Sequence, residues 1–210
     1  MDPLPLDPRG YTGTYKLVGG QPSLDLINTL AWPATDREHD WFDPSTNVAL
    51  WALEVGLIDD ETRRGFDRAR RDDPDQWASQ LRAIRDLRQS LRSAIKPLAL
   101  GEAPTPQSMD ELNRMLAVAA RRRRIDHETL QWSWSEPTTL VELMAPVIWN
   151  AGEVLTSIDR KRIGLCPTCD WLFHDTTRNR RRRWCDMADC GSRDKALRYY
   201  HRQKVGHHGP

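Results

Sequence analysis

Four cysteines, Cys166, Cys169, Cys185 and Cys190, are the only ones in a chain of 210 residues, and all lie in its last quarter. Their spacing, C-x2-C-x15-C-x4-C, brings two pairs of soft thiolates together and suits tetrahedral Zn²⁺. Disulfides and a redox-active C-x-x-C pair are the alternatives. A reducing cytosol disfavours the first, and the second needs no second pair nearby. Four thiolates leave no coordination position for water, so such a zinc is structural and a hydrolytic mechanism finds no support. His174, His201, His207 and His208 are substitute ligands on paper, though each is expected to be exposed.

Around these cysteines the residues suggest a small finger spanning 160–204. Cys166-Pro167-Thr168-Cys169 makes a knuckle restricted by its proline. Trp171 to His174 is predicted to open a hairpin that turns at Thr176 to Asn179 and returns through Arg182-Arg183-Trp184. Cys185 and Cys190 then sit at the start of a helix, where the dipole favours thiolate charge. The expected product is treble-clef-like and too small to fold on apolar burial alone, so one structural zinc ion supplies the missing stability.

The same segment holds 13 Lys/Arg against 5 Asp/Glu, although the whole chain has a formal net charge of +1. A hairpin strand with arginine on both faces buries neither face, so Arg178, Arg180, Arg181, Arg182 and Arg183 are expected to meet solvent or phosphate. Arg193, Lys195, Arg198 and Arg202 extend the basic surface along the following helix, with Ala196, Tyr199 and Tyr200 free to pack on the finger. A merely solvated basic face is the plain alternative to nucleic acid. The charge density together with the scaffold favours DNA, with RNA left open.

Residues 1–13 are rich in proline and glycine and are expected to form a flexible arm. Residues 14–159 are expected to form a mainly helical domain with two or three short strands, so the fold class is α+β, and 205–210 form a tail. Strand signals fall on 15–18 and 130–134. Helices are predicted from Ser23 to Leu30 and from Ser45 to Trp51, each capped by its serine, and from Asp59 to about Arg71. The clearest helix starts at Asp73-Pro74, with Trp77, Leu81, Ile84, Leu87, Leu91 and Ile95 on its core face and Arg82, Arg85, Arg88 and Arg92 mostly outside. A capping box at Ser108 to Glu111 opens another, and Pro137 starts a last one through Leu155 with a kink at Pro146.

Within this region Asp25 and Asn28 share a helix face and either line a ligand pocket or tie the helix to a neighbouring loop, the second being favoured. Periodicity places Trp77, Trp132 and Trp134 in the core. Arg121 to Arg124 are explained by a helix C-terminus without an anion site. No G-x-S-x-G, H-E-x-x-H, phosphate-binding G-x-x-x-x-G-K-[ST] or G-x-G-x-x-G occurs, so no catalytic machinery is expected. Nor does any apolar run reach the roughly 20 residues of a membrane helix, and the N-terminus lacks a signal peptide's regions. A soluble protein of the bacterial cytosol or nucleoid is expected, without a membrane partner.

Cys166-Pro-Thr-Cys169-Asp-Trp-Leu-Phe, followed by Arg178-Asn-Arg180 and then Arg183-Trp184-Cys185-Asp-Met187-Ala188-Asp-Cys190-Gly191-Ser192-Arg193, resembles the CGNR-type zinc finger of bacterial proteins. Gly19-Gly20 with Leu24-Asp25-Leu26-Ile27-Asn28-Thr29-Leu30, and Trp51 with Gly56-Leu57-Ile58, resemble the ABATE domain that precedes such fingers and is described as a stress-induced transcription regulator. The resemblance implies Zn²⁺ on the four cysteines and a DNA-binding finger. One departure is Ser192, which replaces the name-giving Asn; serine can cap a helix but lacks the amide. The leading expectation is a DNA-binding transcription regulator, its N-terminal domain sensing a small-molecule effector or a partner, with a homodimer as the default assembly. A zinc-stabilised protein-interaction or RNA-binding module is the first alternative, and a small-metabolite enzyme with an accessory finger the second.

Overall fold

The computed structural model describes residues 2–206, with side chains described for 2–200. Its spine is α4 (Pro74–Ala99), which starts where Asp73 accepts a hydrogen bond from Gln76 N and Pro74 takes the first helical position. Before it come α1 (Pro22–Ile27), α2 (Asn47–Glu54) and α3 (Asp60–Asp72), the last capped by Asp59. After it come α5 (Pro106–Ala120), α6 (Leu140–Leu143) and α7 (Ala145–Ser157). Helices α1, α3, α5, α6 and α7 all pack on α4. The core holds Tyr15, Trp41, Phe42, Trp51, Ile84, Leu91 and Ile95, all essentially inaccessible.

Among the described residues, three two-stranded antiparallel ladders complete the fold. β1 (Leu30–Ala31) pairs with β2 (His39–Asp40), and β3 (Arg123–Ile125) with β4 (Trp132–Trp134). β5 (Ile163–Leu165) pairs with β6 (Leu172–His174) across the first cysteine pair. A π-helical turn (Met187–Gly191) then leads into α8 (Ser192–Gly206). Helices dominate and the strands are short, an α+β arrangement with the cysteine cluster at its C-terminal end.

Several local expectations are corrected. The N-terminal arm is not loose along its whole length: Leu6 is buried, Leu4 N donates to Tyr15 O, and Asn47 bonds both to Asp7 N and to Asp7 O. Residues 15–18 pair in no ladder, because Tyr15 and Val18 insert into the core as a loop. Ser23 and Ser45 do not cap; Ser23 donates instead to Asn150 Oδ1, 2.8 Å away. Thr105, not Ser108, caps α5, since Pro106 preorganises the earlier start. Pro146 lies in the first turn of α7, so the chain breaks at Met144 rather than bending there. Trp132 is 63% exposed, because no layer covers that face of the β3–β4 ribbon. Arg123 stacks between it and Trp149, with ring distances of 4.6 and 4.4 Å. Arg122 pairs with Glu142, so the Arg121 to Arg124 run gathers no common site. Within the tail, 205 and 206 continue α8, and 207–210 lie outside the described residues.

Candidate metal centre and nucleic-acid interface

Cys166 follows β5 directly, and the knuckle forms the turn of the β5–β6 hairpin. Cys166 N donates to Trp171 O and Asp170 N to Cys166 O, closing the loop tightly enough to put Asp170 at φ 63°. Gly164 in β5 is required, because a Cβ there would lie 2.4 Å from the Phe173 ring. The hairpin expected to return through Arg182 to Trp184 therefore does not form; β6 already pairs with β5, and 182–184 run as irregular chain. Cys190 comes from the π-helical turn, where Asp186 caps by accepting from Ala188 N. Ser192 opens α8, but its hydroxyl donates back to Met187 O instead of capping.

The four sulfurs are buried, unpaired by disulfides and within 4.8 Å of one another. Cys169 and Cys185 are 3.4 Å apart, and Cys185 and Cys190 3.6 Å. A tetrahedron with Zn–S bonds of about 2.3 Å needs sulfur separations slightly under 4 Å, so the set fits a four-thiolate zinc. Contacts among the sulfurs, with Cys166 first, and then burial push the Cys169 and Cys185 thiols up. Crowded thiolates repel one another, and a divalent cation removes that cost. The centre is one structural zinc ion on Cys166, Cys169, Cys185 and Cys190. His174 is not among the clustered ligands, and His201, His207 and His208 lie outside the described side chains.

The basic residues divide. Arg182, expected on the nucleic-acid face, turns inward and becomes a strut. Its guanidinium donates to Val18 O (2.8 Å), His174 O (3.3 Å), Trp184 O (3.2 Å) and Cys185 O, and lies 4.6 Å from the Phe173 ring centre. Five otherwise unpaired donors in a fixed fork suit a cluster of loop carbonyls beside a metal ligand. Arg178, Arg180, Arg181, Arg183, Arg193, Lys195 and Arg198 are exposed. Arg180 pairs with Asp159, Arg198 with Asp194, and Arg183 stacks on Trp184. The side chain of Arg202 lies outside the described residues. Leu197, Tyr199 and Tyr200 are each more than half exposed.

Sequence reasoning missed the seam that joins finger to body. Asn28, buried in full, donates from Nδ2 to Leu172 O (2.8 Å) and accepts from Leu172 N (2.9 Å), so its amide continues the β6 edge and ties α1 to the finger. Trp171 Nε1 donates to Leu30 O, and His174 N to Gly19 O. Arg92, expected outside, is buried and pairs with Asp170 beside Lys96; Arg88 likewise turns inward to Asp40 and Thr29. Lys16 Nζ reaches Asp186 (2.9 Å) and Asp189 (2.7 Å) on the ligand-bearing turn. Asp25 is a loop tie: its Oδ1 accepts from Gly19 N at 2.7 Å, and burial raises its carboxyl to about 7 against the pull of Gly19, Arg182 and Gly20. These partners are invisible in sequence because they pair residues up to 173 positions apart.

Comparison with known families agrees with this architecture. Residues 20–158 match the ABATE family, described as "putative stress-induced transcription regulator", and residues 162–203 match the CGNR zinc finger. No curated protein matches the chain. Among the described residues no helix is long and apolar enough to cross a membrane. With two thirds of its length matched, the chain belongs to the ABATE family, and it carries a CGNR zinc finger at its C-terminal end.

Proposed function

We propose that this regulator binds DNA through the outer face of its zinc finger, that its helical body senses a small ligand or partner, and that neither part catalyses a reaction. The observation that carries the reading is the sorting of the arginines. Arg182 holds the finger together, while Arg178, Arg181, Arg183, Arg193 and Lys195 stand exposed around a metal-fixed frame. The nearby carboxylates of Asp186 and Asp189 are bound to Lys16, so they do not cancel that face. Exposed guanidinium groups on a rigid frame suit phosphate and guanine. A bacterial cytosolic or nucleoid location follows from such a role.

Fluorescence anisotropy of the zinc-loaded chain with a duplex from its own upstream region, beside a scrambled duplex, at two salt concentrations tests the reading. Tight binding that discriminates between the duplexes is expected. Replacing Arg181 and Arg183 by alanine should weaken it and lower the salt slope by about two. No duplex binding at low salt overturns the proposal, and a preference for single-stranded RNA or an acidic protein reassigns the face.

A further inference from the structure

A cavity of about 220 Å³ lies between the N-terminal segment, the helical body and the finger. Its apolar walls are the rings of Tyr11, Trp32, Trp41 and Trp171, and its polar wall is Lys16, Asp186, Asp189 and Arg193. It also reaches Cys169, Cys185 and Cys190. An apolar cavity of about 150 Å³ accommodates benzene, so this space suits one ring with a short polar arm. Trp41, only 1% exposed, has an indole N–H without a hydrogen-bond partner, so the wall is not fully satisfied from within the described residues.

Charge selects the occupant. Among the lining side chains Lys16 and Arg193 offset Asp186 and Asp189, and the four-thiolate centre they surround remains negative after one Zn²⁺. Electron-rich ring faces add attraction for a cation and none for an anion. One face of the Trp32 ring already carries a cation, the Arg37 guanidinium 3.7 Å from the centroid, which leaves its other face for the cavity.

We propose that this cavity binds a small organic cation, an aromatic ring bearing an ammonium group. The rings hold the aromatic part, and Asp189, whose side chain is 46% exposed against 19% for Asp186, takes the ammonium. The ligand then competes with Lys16 for Asp189. Lys16 joins the N-terminal segment to the turn that carries Cys190 and runs into α8, so the competition loosens the body's hold on the finger. This deepens the sensing part of the function proposed above and rests on it only for the link to DNA.

The test titrates the zinc-loaded, ¹⁵N-labelled full chain near neutral pH with benzylamine, benzyl alcohol and benzoate. Benzylamine should shift the indole signals of Trp32, Trp41 and Trp171 and leave those of Trp77 and Trp132 in place. It should bind about fivefold or more tightly than benzyl alcohol, a gap set by cation–π and ionic attraction, and benzoate should not bind. Asp189→Asn should erase the preference for the amine. Thr14→Phe, at an exposed position on the rim, should block every probe while the remaining spectrum stays folded. Equal binding of amine and alcohol, stronger binding of benzoate, or no shift of the three indoles by about 10 mM overturns the site. Cavity binding that leaves duplex affinity unchanged keeps the site and overturns its role in sensing.

Discussion

The helical body and the finger solve the same problem by different means. The body buries Tyr15, Trp41, Phe42 and Trp51 around α4, and at about 25 cal/mol per Å² such rings alone contribute several kcal/mol. The finger buries Ile163, Trp171, Leu172 and Phe173 beside its four cysteines and presents most of its arginines to solvent. These side chains form one continuous core with those of the body. The metal therefore fixes the local geometry of the knuckle and turn, whereas Asn28, Arg92, Lys16 and Arg182 fix where that geometry sits. A finger so anchored is a rigid face of the body rather than a module on a tether.

The comparison is broken most severely at the metal. Cys185→Ser should abolish stoichiometric zinc and lower the unfolding temperature of finger and body together, since structural zinc supplies about 10–16 kcal/mol in isolated finger peptides; metal analysis and a thermal melt followed by circular dichroism report both effects. At the seam, Asn28→Ala strands the N–H and C=O of Leu172 in a buried place and should cost about 2–4 kcal/mol in urea unfolding. It should leave zinc content intact, which separates placement from metal binding.

Asp25 sharpens the body's side of the comparison. Below its ordinary 3.8 the carboxyl is protonated in both folded and unfolded chains. As pH rises toward about 7 the unfolded group ionises first, so stability falls across that window and levels off above it. The slope from this group approaches about 1.4 kcal/mol per pH unit at most. Asp25→Asn keeps an acceptor for Gly19 N and should flatten this part of a denaturation profile recorded from pH 4 to 8. The smallest effect belongs to the outer face: Arg181→Ala should change stability by no more than about 0.5 kcal/mol while lowering duplex affinity.

How much of this was legible in the sequence follows from how local each signal is. Asp73-Pro74 and Asp59 announced α4 and α3, because a cap and its helix are neighbours in the chain. The metal ligands were legible for the same reason: cysteine spacing encodes a knuckle directly. The hairpin partner of β6 was misplaced because β5 carries only Ile163-Gly164-Leu165, too short to show alternation. Arg88, Arg92 and Arg182 read as surface residues because helical periodicity and charge runs cannot reveal a distant carboxylate or a ring of carbonyls. The helix face shared by Asp25 and Asn28 points to a tie between helix and loop, but only the folded chain shows that Asn28 ties to the finger's own strand.

Scanning calorimetry of the zinc-loaded chain, repeated with increasing chelator, tests most directly whether body and finger are one unit. The shared core and the Asn28, Arg92 and Lys16 contacts predict a single unfolding transition that moves to lower temperature as a whole when zinc is withdrawn. Two transitions, with only the smaller one responding to chelator and the body's midpoint unchanged, would contradict the account.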